Sequence, residues 1–165
     1  MARDDLIEEI LALEWDMFQN VRARYPVGCQ QNPSAFRLHR GTQFSIWSDD
    51  ALNSYRDDLL QAQAIGENLM TLKYARMENL IPPLNDNPVI ERIVDLEVAA
   101  QREVAERYPY LTRRGRPLEE DSDSETSFKT YLRGELETYS NRTLAILLRD
   151  LRLARDKGED RKSVV

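Results

Sequence analysis

The stretch Leu6–Pro26, LIEEILALEWDMFQNVRARYP, returns 83 residues later as Val89–Pro109, VIERIVDLEVAAQREVAERYP. Nine of the 21 aligned positions are identical, among them Ile7, Glu8, Ile10, Leu13, Glu14 and Val21, and both copies end on Arg-Tyr-Pro. A repeat at constant offset is the signature of an internal duplication. Within the first copy, Leu6, Ile10, Leu13, Met17 and Val21, with Ile7, Leu11 and Phe18 alongside, fall at the spacing of a wide helical face. The pattern predicts a helix from Asp5 to Arg24, ended by Tyr25-Pro26, and a second from Val89 to Arg107.

Working outward, a second match runs at an offset of 92, pairing Phe36, Ser48, Leu52, Asp58, Leu59, Ala62, Gly66 and Glu67 with Phe128, Ser140, Leu144, Asp150, Leu151, Ala154, Gly158 and Glu159. Trp47 meets Tyr139 and Gln43 meets Glu135 in the same register. The larger offset places a longer connector in the second copy, between Leu111 and Glu125. Ser34 reads as the N-cap of a helix from Ala35 to Gln63, with Gly66 as its C-cap. Glu67–Leu80 reads as a further helix with Leu69, Leu72, Tyr74 and Met77 on one stripe. A Pro/Asn-rich linker spans Pro82–Pro88, and a last helix runs from about Thr126 to Lys157. No segment alternates as a strand does. The expected fold is all-α: an internally duplicated helical bundle of two helix-pair repeats, residues 6–80 and 89–157, related by a pseudo-two-fold axis, with the extra helix at one end. Residues 1–157 form one domain, and 158–165 read as a flexible polar tail.

The composition narrows the function classes. A chain of 165 residues, 41% hydrophobic and 32% charged, is globular, and its net charge of −6 opposes a nucleic-acid surface. No apolar run reaches the roughly 18 residues of a membrane span, and Met1–Asp5 is acidic rather than signal-like, so a cytoplasmic protein is expected. One cysteine, Cys29, forms no internal disulfide, and one histidine, His39, excludes any site that needs two imidazoles. Nucleotide-cradling and nucleophile-elbow motifs are missing from the sequence, and no cofactor is indicated. Arg113–Pro117 followed by Glu119–Glu125 reads as a solvated basic-then-acidic connector.

Chemistry is expected where a polar residue interrupts an apolar face. Glu14 sits among Ile7, Ile10, Leu11, Met17 and Phe18 at helical spacing, and Glu97 repeats this among Ile90, Ile93, Val94 and Ala100. Gln43 shares a face with Phe36, Arg40 and Trp47, and Glu135 shares one with Phe128, Leu132 and Tyr139. Buried carboxylates cost several kcal/mol each unless paired, protonated or metal-bound. Three readings stay open: structural ion pairs with Arg40 and Arg133; a ligand pocket in which Glu14, Glu97 and Glu135 act as acid, base or cation-binding groups; and a carboxylate metal centre using His39, for which no Glu-x-x-His pair exists.

Three strings, Leu13–Val21, Arg114–Pro117 and Thr130–Ser140 (TYLRGELETYS), resemble the microbial family of unknown function DUF4125, over about Leu6 to Gly158. The resemblance implies a small all-helical protein, and it carries no established activity, substrate or catalytic residue. From the residues, the expected function is a small-molecule enzyme or ligand-binding protein with its pocket between the repeats, fitting a tailoring or accessory role in specialised metabolism. Glu14 and Glu97 would do acid–base work and Glu135 and Gln43 would orient substrate. Arg40 or Arg133 would anchor an anionic group, with Trp47, Tyr131 and Tyr139 as pocket walls. The rival class is a helical interaction module whose glutamates are structural ion pairs, docking through Leu69, Leu72 and Met77. A monomer or homodimer suits either class.

Overall fold

The computed structural model describes residues 2–21, 32–112, 116–122 and 126–163, and these are all-helical, with no strand among them. Cys29, the Arg24-Tyr25-Pro26 ending, Arg113–Gly115 and Asp123–Glu125 lie outside the described residues. The first helix, α1 (Arg3–Gln19), ends earlier than the periodicity suggested. Asn20 takes over as C-cap, its Nδ2 donating to Asp16 O at 2.9 Å. The buried stripe Leu6, Ile10, Leu11, Glu14, Met17 and Phe18 is the apolar face read from the sequence.

The helix expected over Ala35–Gln63 is two helices, α2 (Pro33–Ser45) and α3 (Asp49–Ala64). Asn32, not Ser34, caps α2, its side chain accepting from Ala35 N at 3.0 Å. The break at Ile46–Ser48 comes from a new N-cap: Ser48 Oγ accepts from Ala51 N at 3.2 Å, and Asp49 and Asp50 add negative charge to the first turn. Gly66, with φ of 75°, ends α3 in a Schellman turn in which Glu67 N donates to Ala62 O at 2.9 Å and Gly66 N to Gln63 O at 3.2 Å.

A short helix follows, α4 (Leu69–Met77), capped by Asn68. It packs against α1 and against a helix of the second half. The linker after it is pinned down: buried Glu137 accepts from Arg76 Nε at 2.8 Å and from Leu84 N at 2.9 Å, and Asn141 accepts from Asn85 and Asn87.

The second half opens with α5 (Val89–Arg107), as the repeat predicts, followed by one helical turn, α6 (Pro109–Thr112). The last expected helix is again divided, into α7 (Phe128–Leu136) and α8 (Asn141–Ser163). Ser140 caps the second piece, its Oγ accepting from Thr143 N at 3.2 Å. Gly158 is helical and α8 runs on to Ser163, where a tail was expected to begin. In packing, α1 meets α2 and α3, α5 meets α7 and α8, and α3 lies against α8. One hydrophobic core, centred on Ile10, Phe44, Leu52, Tyr55, Leu59, Ile93, Val94 and Leu144, joins both halves.

Candidate functional site

Helical periodicity drives Glu14 of α1 into the core, where its carboxylate is fully buried. The cation that answers it comes from α2. Arg40 Nε donates to Glu14 Oε1 at 2.8 Å and Nη2 to Oε2 at 2.7 Å, a bidentate pair, and Nη1 donates to Gln43 Oε1 at 2.8 Å. Arg40 Nη2 also lies 2.6 Å from Glu135 Oε1 of α7, an ion-pair approach off the hydrogen-bond axis. The Tyr55 hydroxyl donates to Glu14 Oε2. One guanidinium thus bridges two carboxylates from the two halves.

The second cation is Lys73 of α4, only 2% exposed. Its Nζ lies 3.9 Å from Glu135 Oε1, donates to the Tyr131 hydroxyl at 3.0 Å and stands 4.5 Å from the Tyr131 ring centre. Gly134 makes this approach possible, because a Cβ there would sit 3.2 Å from the Lys73 carbonyl oxygen and from Met77 Cγ. The buried set of Glu14, Glu135, Arg40 and Lys73 is therefore electrically balanced, two charges of each sign. Burial works against the ionised form of Glu135, but the Arg40 and Lys73 charges outweigh it and lower its pKa from 4.5 to about 2. Burial likewise opposes the charge on Arg40 and on Lys73, and neighbouring acidic groups hold both pKa values above their ordinary level.

Aromatic rings wall the cluster. Trp47 meets Tyr139 edge to face at 6.0 Å, and Tyr55 lies 4.9 Å from Tyr139 and 5.7 Å from Phe44. Burial raises the pKa of the Tyr55 and Tyr139 hydroxyls, keeping both neutral.

The structure therefore brings together Glu14, Glu135, Arg40, Gln43, Trp47, Tyr131 and Tyr139. It leaves two expected members out. Arg133 points away from the interior and pairs with Glu91, Nε to Oε1 at 2.8 Å. The cation expected from Arg133 is supplied by Lys73 instead. Glu97 is half-buried, and no hydrogen bond or ion pair reaches it among the described residues. Burial, and next the Glu135 charge, raise its pKa above 4.5. His39 is exposed, its pKa lowered by burial of its inner edge and by the Arg40 charge.

Leu69 and Met77, expected as an outer docking surface, are buried, and Leu72 is half-buried, because α4 is wedged between the two halves. Among the described residues, one surface depression of about 630 Å³ is lined by α5 and α8, and another of about 270 Å³ lies beside Arg76, Asp121 and Arg133. Neither is lined by Glu14, Glu97 or Glu135. Among the described residues no three His, Cys, Asp or Glu side chains converge as metal ligands, and no helix is long and apolar enough to cross a membrane.

Fold and site together define a small all-helical protein assembled around a buried, charge-balanced ion network. The chain belongs to the family described as "Protein of unknown function (DUF4125)", which matches residues 4–163. Neither a curated protein nor a solved structure matches it.

Proposed function

We propose that the protein is a helical interaction module built from a duplicated unit, its interior glutamates serving as structural ion pairs. The observation that carries this reading is the closure of the cluster: Glu14 and Glu135 are answered by Arg40 and Lys73, all four nearly inaccessible to solvent. Such groups are committed to holding α1, α2, α4 and α7 together, since removing one partner leaves an uncompensated buried charge.

Support for the duplication comes from the caps. Ser48 Oγ donates to Asp150 Oδ2 at 2.5 Å, while Ser140 N donates to Asp58 Oδ2 at 3.0 Å. Serines and aspartates alike are partners at the offset of 92, so each half caps its last long helix with a serine and braces that cap with the other half's aspartate. The packing of α1 on α2 and α3 beside that of α5 on α7 and α8 supports the same reading.

A test is photo-crosslinking in the native cell, with a photoreactive residue placed in turn at exposed Ile46, Leu60, Leu80 and Leu153. The expected result is a discrete heavier adduct from at least one position. No adduct from any of them, together with stabilisation by a small metabolite, overturns the proposal.

A second reading, a small-molecule enzyme or ligand-binding protein, is favoured by Glu97. A half-buried carboxyl with a raised pKa beside an ionised one at about 2 is the arrangement that separates an acid from its partner. On this reading Glu97 gives up the proton, in a tailoring or accessory step of cytoplasmic specialised metabolism. A metabolite that raises the melting temperature of the native chain, but not of Glu97→Gln, is its expected signature.

A further inference from the structure

The two halves differ in what covers them, and the difference is systematic. In the first half α4 lies over α1: Asn68 Nδ2 donates to Met17 O at 2.7 Å, and Tyr74 stacks on Phe18 at 6.0 Å. Met17, Phe18 and Val21 are buried. Their partners at the offset of 83 are Ala100, Gln101 and Val104 of α5, and all three are exposed.

The other side of α4 tells the same story. On α7 it covers Tyr131 and Gly134 through Lys73 and Met77, and Glu137 through Arg76. The partners at the offset of 92 are His39, Thr42 and Ser45 of α2, again all exposed. Beside them on α2, Leu38 is 73% exposed and Ile46, at the helix's C-cap, is 84% exposed, giving with Thr42 an uncharged stripe at helical spacing. By the two offsets, the outer side of α2 and the matching side of α5 together correspond to the surfaces that α4 covers, and make up the open face of the repeat.

We propose that this face docks a basic amphipathic helix of a partner protein, seated on α2 and α5 as α4 is seated on α7 and α1. The inference rests on the interaction-module reading and on the duplication. The choice of a basic helix follows from charge. On the covered side, α4 delivers Lys73 to Glu135 and Arg76 to Glu137. On the open side Glu97, which stands at Glu14's place in the repeat, meets no cation among the described residues, in a chain of net charge −6. An incoming helix with one apolar side and a lysine or arginine within reach of Glu97 would complete the second half with the same chemistry that completes the first.

The test uses the full chain and a fluorescent peptide of residues 68–77, which carries α4 with its Asn68 cap and is basic through Lys73 and Arg76, with no acidic residue. Saturable binding by anisotropy is expected, weakened at least tenfold by Leu38→Asp with Ile46→Asp, a pair of surface changes that leave the melting temperature in place. Reversing the charges in the peptide, Lys73→Glu with Arg76→Glu, should weaken it by as much, and Glu97→Gln in the protein should weaken it measurably. Absence of saturation, or binding indifferent to the α2 pair, overturns the proposal. So does a dimer in sedimentation that the α2 pair abolishes, since the occupant is then a second copy. If crosslinking finds partners on another face while the peptide fails, the interaction module stands and this docking face alone is rejected.

Discussion

Residues 6–80 and residues 89–157 start from matching sequences and end in different environments. In the first half Glu14 is enclosed, gripped by Arg40 and capped by Tyr55. In the second, Glu97 occupies the matching position, but Arg40 aligns with Leu132 and Tyr55 with Leu147, so neither partner is present. The same glutamate in the same helix register therefore sits in a buried ion pair in one half and meets no partner among the described residues in the other. A residue type at a given spacing marks a place in the fold, and the charges that the rest of the chain brings to that place decide its role.

The sharpest way to break this comparison is to neutralise the two glutamates in turn. Glu14→Gln should destabilise the fold by about 3–5 kcal/mol, because Arg40 loses a bidentate partner in a dry interior. Glu97→Gln should leave stability unchanged or raise it at neutral pH, since a carboxyl whose pKa is raised in the fold is held ionised at a cost. Chemical denaturation of both variants checks this, and equal losses would show that the halves use their glutamates alike.

Acid should draw the same distinction between a glutamate inside the ion network and one outside it. Glu135 is shifted down from 4.5 to about 2, so its ionised form stabilises the native state above pH 4.5, and that contribution drains away as the pH falls toward 2. Glu97 runs the other way: its penalty is present at neutral pH and is relieved as the pH falls through its raised pKa and below 4.5. Denaturation measured across pH 2–7 should therefore show a steep acid loss that Glu135→Gln flattens. The advantage of Glu97→Gln over the native chain should shrink as the pH falls from the raised pKa toward 4.5 and be gone below it.

The covering helix supplies a smaller contrast. Gly134→Ala should cost about 1–3 kcal/mol, because the new methyl presses on the Lys73 carbonyl and Met77 in a tightly packed crossing. At the matching position in the open half, Thr42→Ala should stay within about 0.5 kcal/mol, since Thr42 is exposed and its hydroxyl bonds only within α2, to Leu38 O. A comparable loss at Thr42 would mean that the open face is already covered.

Part of this architecture was legible in the sequence. Glu14 and Glu135 announce themselves as interior because their neighbours at three and four residues are apolar, and Gly66 ends α3 as its position implied. The division of the two long helices was hidden because the apolar pattern continues in phase through Ile46–Ser48 and Tyr139–Ser140. The break is set locally, by a serine that satisfies the next helix's free N–H groups. Arg133 misled because Arg-Gly occurs in both halves. At the offset of 92, however, Arg40 aligns with Leu132, and one residue further along a helix turns the side chain by roughly 100°, out toward Glu91. Lys73 was passed over because lysines seldom lie buried, although Leu69, Met70 and Met77 at helical spacing place it on the inner face.

The caps test what the two halves still share. Ser48 and Ser140 each accept from the N–H three residues on, at 3.2 Å, and each is braced by the other half's aspartate, Asp150 or Asp58. The braces differ in one respect: Asp150 receives the Ser48 hydroxyl, whereas Asp58 receives the Ser140 backbone N–H and the Thr143 hydroxyl. Ser48→Ala therefore removes both the cap and the link to Asp150. Ser140→Ala removes the cap and leaves the backbone link to Asp58 standing. Each should cost about 1 kcal/mol, with Ser48→Ala the larger of the two. If Ser140→Ala proves the costlier, the Asp58 bond depends on the serine side chain, and the two braces are less alike than their shared offset implies.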